Sequence, residues 1–339
     1  MFKRPRLSAP IPVVNASLAA CLLLLTTACS QSEPAETGTV ESEDMAQTAP
    51  DNQPPASLDS LPAVWATTKL EGKVAALGIA GGIGSTFAVA YEGGGLQLFD
   101  FDGERVTQVS DHDVMALSEG RFAQISGTPV TFFPGLDSEG DLKLWIHGGE
   151  LTEAIEYDLP IDQTGPAAGL CTALPLDDTD GLLRLAYWTD AAPRTLQSGR
   201  IVEVGDELGW LPDDAVDADQ PITSCSLTRD GAVTFAGAIA ASARLDRNGR
   251  QTLVTLNQVG GISVVLETGD AIDVDITDGI TVRAPNRPTA ITATGDARGG
   301  GYPGGIIVIA GEVSNGDHRA VLIDPSKITM TPIVIPPGR

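Results

Sequence analysis

Apolar residues along this chain fall in short runs separated by glycine, proline and aspartate, with no 3.6-residue periodicity beyond the first thirty or so positions. The runs Ala75 to Ile79, Phe87 to Tyr91, Ile201 to Val204 and Ile306 to Ala310 have the length of β-strands and are bounded by turn-forming residues. The most informative stretch is Gly93 to Val106, in which Leu96, Leu98, Phe99 and Phe101 lead into Asp102-Gly103. That pair predicts a two-residue type I′ turn, because both of its positions favour φ > 0, followed by a return strand.

The same phrase recurs with altered turns, at Ser138 to Trp145, Thr228 to Phe235 and Asp246 to Val254. Imperfect repetition of a hairpin is the signature of blades arranged around an axis. The chain from residue 58 to residue 339, divided into six, provides about 47 residues per unit, as a propeller blade requires. The expected fold class is therefore all-β, a six-bladed β-propeller.

The amino terminus reads as an address. Lys3, Arg4 and Arg6 precede an apolar run that ends in Leu22 to Leu25, and Thr26-Thr27-Ala28 places small residues before Cys29. Residues 1–28 resemble a bacterial lipoprotein signal, which implies cleavage before Cys29, lipid on that cysteine and a partner in the lipid bilayer. Thr26 departs from the leucine usual three places before the cysteine, and an ordinary secretory signal or an uncleaved anchor are the competing readings. Ser30 after the cysteine implies outer-membrane sorting within the cell envelope. Residues 29–57 are rich in Gln, Ser, Glu, Thr, Pro and Ala without an aromatic residue, so they are expected to be a disordered acidic tether.

Charge narrows the function classes. The whole chain carries −24, and removing Lys3, Arg4 and Arg6 leaves 18 basic residues against 45 acidic ones, a mature charge of −27. Such a surface repels nucleic acid and anionic lipid and attracts cations or basic partners; solubility in a salty or calcium-rich medium is the simpler reason for it. Cys171 and Cys225 remain as an even pair in an oxidising compartment. They form either a disulfide between neighbouring blades or two separate buried thiols, the latter being the preferred reading because spacing says nothing of proximity.

Catalytic motifs are scarce. His112, His147 and His318 are far apart and read as loop or turn residues, and there is no GxSxG elbow and no zinc spacing. Gly81 to Thr86 is glycine-rich, but it lacks a phosphate-loop lysine and leads into a strand, so it is read as a turn. Asp273, Asp275 and Asp278 are spaced so that a curled loop would aim their oxygens at one calcium ion, with a solvated strand end as the alternative.

Several segments together resemble the β-propeller phytases, the six-bladed calcium-dependent family that hydrolyses inositol phosphates. Leu61-Pro62-Ala63-Val64-Trp65, Gly94 to Gly103, Gly169-Leu170-Cys171, Gln220 to Cys225 with Arg229-Asp230-Gly231, and Ala290 to Asn315 carry the likeness. The resemblance implies carboxylates before Pro62, where only Asp59 remains, and lysines where Glu92 and Gly93 stand. It also implies an arginine near Asp137 and acids near Thr223, Arg287 and Thr289. Arg200 alone keeps a basic residue at a matching strand, as a phosphate-binding candidate. Metal-assisted phosphoryl transfer needs several carboxylates and cations in one site, and most are replaced. The expected function is thus a lipid-anchored, monomeric, non-catalytic binding or scaffold module whose propeller face takes a protein or small molecule. A divergent calcium-dependent phosphohydrolase with Asp59, Asp273, Asp275 and Asp278 as metal ligands is the alternative. Comparison with propeller lipoproteins that assist outer-membrane assembly rests on architecture and address alone.

Overall fold

A computed structural model describes residues 60–330, except 82–85, 150, 177–180, 206, 248–249, 266–269, 296–301 and 303. The signal peptide, Cys29, the tether and Asp59 lie outside the described residues. The architecture is all-β, and its strands fall into six successive groups.

β1 (Ser60–Ala66) opens the described chain. Blade A follows as β2 (Val74–Gly81), β3 (Thr86–Tyr91) and β4 (Leu96–Asp100). Blade B is β5 (Val114–Leu117), β6 (Gly120–Ile125), β7 (Thr128–Asp137), β8 (Leu142–His147) and β9 (Ile155–Asp158), with β5 and β6 lying end to end along β7. Blade C holds β10 (Ala167–Ala173), β11 (Leu183–Thr189), β12 (Ala192–Val204), β13 (Glu207–Pro212) and β14 (Val216–Asp217), and blade D has only β15 (Ser224–Thr228) and β16 (Gly231–Phe235). Blade E is β17 (Ile239–Arg247), β18 (Arg250–Asn257), β19 (Ile262–Val265) and β20 (Ala271–Thr277), and blade F is β21 (Arg287–Thr294), β22 (Ile306–Glu312) and β23 (His318–Ile323).

The ring is closed by β1. It pairs antiparallel with β23, Ala63 opposite Ile323, and so becomes the fourth strand of the last blade; it also touches β20 in parallel, with Leu61 opposite Ile276. The first and last described strands are thereby locked into one sheet, which removes the free edges an open array would leave.

Packing between blades explains why the strands read as unbroken apolar runs. In β22, Ile307 and Ile309 join the core shared by blades E and F, whereas Ile306, Val308 and Ala310 join the core shared by F and A. Both faces of the strand are buried, so period-two alternation vanishes. Phe132 and Phe133 divide in the same manner between the B–C and A–B cores. Each such large side chain contributes about 1.5–3 kcal/mol on burial. Between D and E the contact is polar: Ser242 Oγ lies 2.9 Å from Ser224 Oγ, 3.1 Å from Ser226 Oγ and 2.8 Å from the Cys225 carbonyl oxygen.

The turn expected at Asp102-Gly103 takes another form. Asp100 and Glu104 close a three-residue loop in which only Gly103 has positive φ, at 76°, and Asp100 Oδ1 accepts hydrogen bonds from the amides of Asp102 and Glu104. Asp137 repeats this with Glu139, Gly140 and Asp141, and Asn257 with Val259, Gly260 and Gly261. Two of the repeated stretches thus have an Asx-capped loop with a left-handed glycine at its third position, whereas Thr228 to Phe235 has a two-residue turn at Arg229-Asp230, and Asn248-Gly249 lies outside the described residues. After Gly103 no full strand returns; single bridges link Phe99 with Arg105 and Leu96 with Ser110. A turn with two left-handed residues does occur, at Ser126-Gly127, with φ of 49° and 75°.

Candidate functional site

The innermost strands are β2, β5, β10, β15, β17 and β21, and their residues line one central channel with a cavity of about 240 Å³. A recurrent local irregularity shapes its mouth. The pairing register slips between Val74 and Ala76, Val114 and Ala116, Ala167 and Gly169, Ile239 and Ala241, and Pro288 and Ala290. Each slip is a β-bulge, and the extra residues are Ala75, Met115, Ala168, Ala240 and Thr289. In blade D the corresponding residue is Thr223, whose amide bonds the Phe235 carbonyl at 2.8 Å just ahead of β15. All six line the channel. Bulges bend a strand and re-aim its residues, which suits the rim of a site.

Four residues beyond the bulges the lining becomes polar. Arg244 Nη2 lies 3.1 Å from Glu119 Oε2, and its Nη1 lies 2.9 Å from Asp246 Oδ2. The Glu119 and Arg244 side chains are only 11% and 9% exposed, so this pair is largely desolvated. Thr172 Oγ1 donates to the Glu119 carbonyl at 2.5 Å, and Ser118 Oγ accepts the Thr172 amide at 3.0 Å. The channel therefore combines a rim of small neutral side chains with a base at which one guanidinium is held by two carboxylates. Glu119 is the only acidic side chain among its described lining residues.

Cys171 and Cys225 form a disulfide between β10 and β15, with Cα atoms 5.6 Å apart, and line the channel. The preferred expectation of two separate thiols is thereby corrected. The two cysteines are adjacent because blades C and D present their innermost strands side by side, a closure that sequence spacing does not encode.

The acids singled out for calcium stand differently from the expected curled loop. Asp273 and Asp275 lie on the extended strand β20 as exposed residues with Val274 buried between them, and Asp273 accepts a hydrogen bond from Ser263 Oγ at 2.6 Å. Asp278 lies beyond the strand, where the Ala284 amide at 2.9 Å and then Arg283 hold its carboxyl below the usual range. Among the described residues no group of three or more His, Cys, Asp or Glu side chains is arranged to hold a metal ion.

Arg200 sits on β12, opposite Arg184 and Leu211 and two strands out from the channel. Glu92 pairs with Lys73 at 2.5 Å, and Asp137 is occupied by its turn amides. Of the positions where acids were implied, Thr223 and Thr289 do reach the channel rim. His112 bridges blades A and B, its Nε2 2.8 Å from the Ala154 carbonyl oxygen and its Nδ1 3.4 Å from Glu156; His147 ends β8 and His318 begins β23.

No protein-family model and no curated protein sequence matches the chain. Similar solved structures include the Aleuria aurantia lectin, described as a six-bladed β-propeller with a novel fucose recognition mode, at 10% identity. That match covers 79% of this chain and 99% of the lectin, with a TM-score of 0.48. AofleA from Arthrobotrys oligospora is 11% identical over 79% of this chain and 89% of that one, with a TM-score of 0.47. Raptor from Chaetomium thermophilum is 9% identical over 78% of this chain and 29% of its own, with a TM-score of 0.46. The six blades are established here by strand order and by the ring of inner strands.

Proposed function

We propose that this protein is a non-catalytic binding module of the bacterial envelope, monomeric, anchored at the outer membrane by lipid on Cys29, and that it takes a small neutral ligand in the propeller channel. The observation that carries this reading is the bulged rim, Ala75, Met115, Ala168, Thr223, Ala240 and Thr289, leading to a base where Arg244 is already engaged by Glu119 and Asp246. Bulged backbone and hydroxyls offer hydrogen bonds to an uncharged polar molecule, whereas an anion would compete with two carboxylates for one guanidinium. Metal-assisted phosphate hydrolysis would need several carboxylates converging with cations, and the described channel lining contains one carboxylate, already paired.

The test is a thermal-shift screen of the full-length protein in detergent with inositol and neutral monosaccharides, repeated on Ala240→Phe. Ala240 is exposed at the rim, so the added ring narrows the channel without entering the core. A compound that stabilises the native protein and not the variant supports the reading; equal shifts in both, or none in either, overturn it. Anchoring is tested separately: palmitate labelling is expected to vanish in Cys29→Ala, and labelling that persists refutes it.

A further inference from the structure

Blade D ends after two strands. In every other blade the second strand has a third beside it: β4 beside β3, β8 beside β7, β12 beside β11, β19 beside β18 and β23 beside β22. Among the described residues nothing pairs with the outer edge of β16.

The register shows which groups that edge offers. Arg229 and Asp230 form a two-residue turn closed by Thr228 and Gly231, so the hydrogen-bonded pairs of the hairpin are Thr228 with Gly231, Ser226 with Val233 and Ser224 with Phe235. Ala232 and Thr234 consequently direct their N–H and C=O groups outward. The strand, Gly-Ala-Val-Thr-Phe, is half-buried to exposed and carries neither charge nor proline. Outermost strands elsewhere are guarded: β4 is covered by the Val106 and Ser110 amides, which bond the Leu98 and Leu96 carbonyls, β9 carries Glu156 and Asp158, β13 carries Glu207 and Pro212, β20 carries Asp273 and Asp275, and β1 carries Pro62. An uncharged, β-favouring, unpaired edge is a template for strand addition.

The surrounding charge selects the occupant. Asp230 lies in the β15–β16 turn, and Asp213, Asp214, Asp217 and Asp219 are exposed in the segment that follows β13 and pairs through β14 with the start of β12. That segment meets blade D where Ala218 and Ala232 pack on one apolar cluster. Arg194 and Arg229 in sequence, and Arg184, whose Nη1 donates to the Thr228 carbonyl at 2.8 Å, are the nearby basic residues, so carboxylates outnumber guanidiniums five to three around blade D. A second copy of a chain carrying −24 would be repelled. We infer that β16 is a docking edge for an extended, cationic segment of a partner protein, which adds as the third strand of blade D. This surface is independent of the channel and stands whatever the channel holds.

The probe is a dye-labelled peptide of alternating lysine and valine, titrated by fluorescence anisotropy against the full-length protein in detergent. Binding is expected to saturate, to weaken with salt, and to be absent for the glutamate–valine counterpart. Proline at the centre of the peptide, or Thr234→Pro in the protein, removes outward-facing hydrogen bonds and is expected to weaken binding about tenfold or more. An edge proline leaves the β15–β16 ladder intact, and an unchanged melting temperature verifies this. The proline-interrupted peptide keeps its charge and needs no protein variant. Its equal binding would reduce the effect to electrostatics and overturn the proposal, as would no binding of the uninterrupted peptide or undiminished binding to Thr234→Pro. Concentration-dependent dimerisation lost in Thr234→Pro would assign the edge to a second copy and overturn it equally.

Discussion

Cys171 and Cys225, 54 residues apart in the chain, are joined across two neighbouring innermost strands. The bond ties blade D, the smallest in the ring, to blade C at the channel wall. Their shared apolar cluster contains Trp188, Leu196, Ile222 and Leu227. On its other side blade D has the Ser224, Ser226 and Ser242 hydroxyls instead, so the disulfide reinforces a blade with little apolar support toward blade E.

Replacing both cysteines by serine is therefore expected to lower stability by about 2–4 kcal/mol, chiefly by freeing the unfolded chain. Urea denaturation of the variant, with a thiol titration of the unreduced wild-type protein in denaturant showing neither residue free, checks this. Loss of both cysteines without effect would contradict the stapling role.

The Glu119–Arg244 pair has a different signature. Both side chains are largely buried, so Glu119→Ala removes a desolvated carboxylate from Arg244 and is expected to cost about 3 kcal/mol. Glu119→Gln combined with Arg244→Met is expected to cost less than the sum of the single changes, since neither member of the pair is then left charged opposite a neutral partner. A double-mutant cycle by denaturation measures that coupling.

Two glycines separate backbone strain from crowding. Gly127 has φ of 75° with open space where a Cβ would stand, so Gly127→Ala is expected to cost about 1–2 kcal/mol from its left-handed backbone alone. Gly140 has φ of 80°, and a Cβ there would lie 2.8 Å from Pro166 Cβ and 2.9 Å from the Ala167 carbonyl oxygen. Gly140→Ala is expected to lose clearly more, a ranking that paired denaturation curves check.

Alkali should act through two phenols. Burial pushes Tyr91 up to about 12, and its hydroxyl donates to Gln97 Oε1 at 2.7 Å; burial followed by Asp102 and Asp324 pushes Tyr302 up to about 12. A phenol whose folded pKa is raised contributes stability in full below its unfolded pKa near 10, and loses it as pH rises from there through the folded value. The melting temperature is expected to fall across that interval, and Tyr91→Phe to fall less steeply. Phenolate absorbance against pH, taken as the difference between the native protein and its Tyr91→Phe and Tyr302→Phe variants, reads the two groups.

Much of the blade content was legible in the sequence. Ala75 to Ile79, Phe87 to Tyr91 and Ile306 to Ala310 lie in β2, β3 and β22, because strands buried on both faces leave continuous apolar runs. The turn phrase at Asp102-Gly103 and Glu139-Gly140 implied repetition, although each pair fills the second and third positions of a three-residue loop capped by Asp100 or Asp137 and not a two-residue turn. The channel rim was missed. Its signal is a recurring uncharged pair near each inner-strand start, small in all but blade B: Ala75-Ala76, Met115-Ala116, Ala168-Gly169, Thr223-Ser224, Ala240-Ala241 and Thr289-Ala290. Such pairs carry no reactive group, and a two-stranded blade D breaks the even spacing that would have aligned them. Ion pairing between Glu119 and Arg244, 125 positions apart, arises only when the ring closes.

This propeller is proposed to bind without catalysing. The most direct test is phosphate release from inositol hexakisphosphate by the full-length protein with calcium present and with calcium chelated. Release is expected to match the protein-free blank under both conditions. Turnover above the blank that disappears on chelation, and that falls in a variant of Asp273, Asp275 or Arg200, would contradict it.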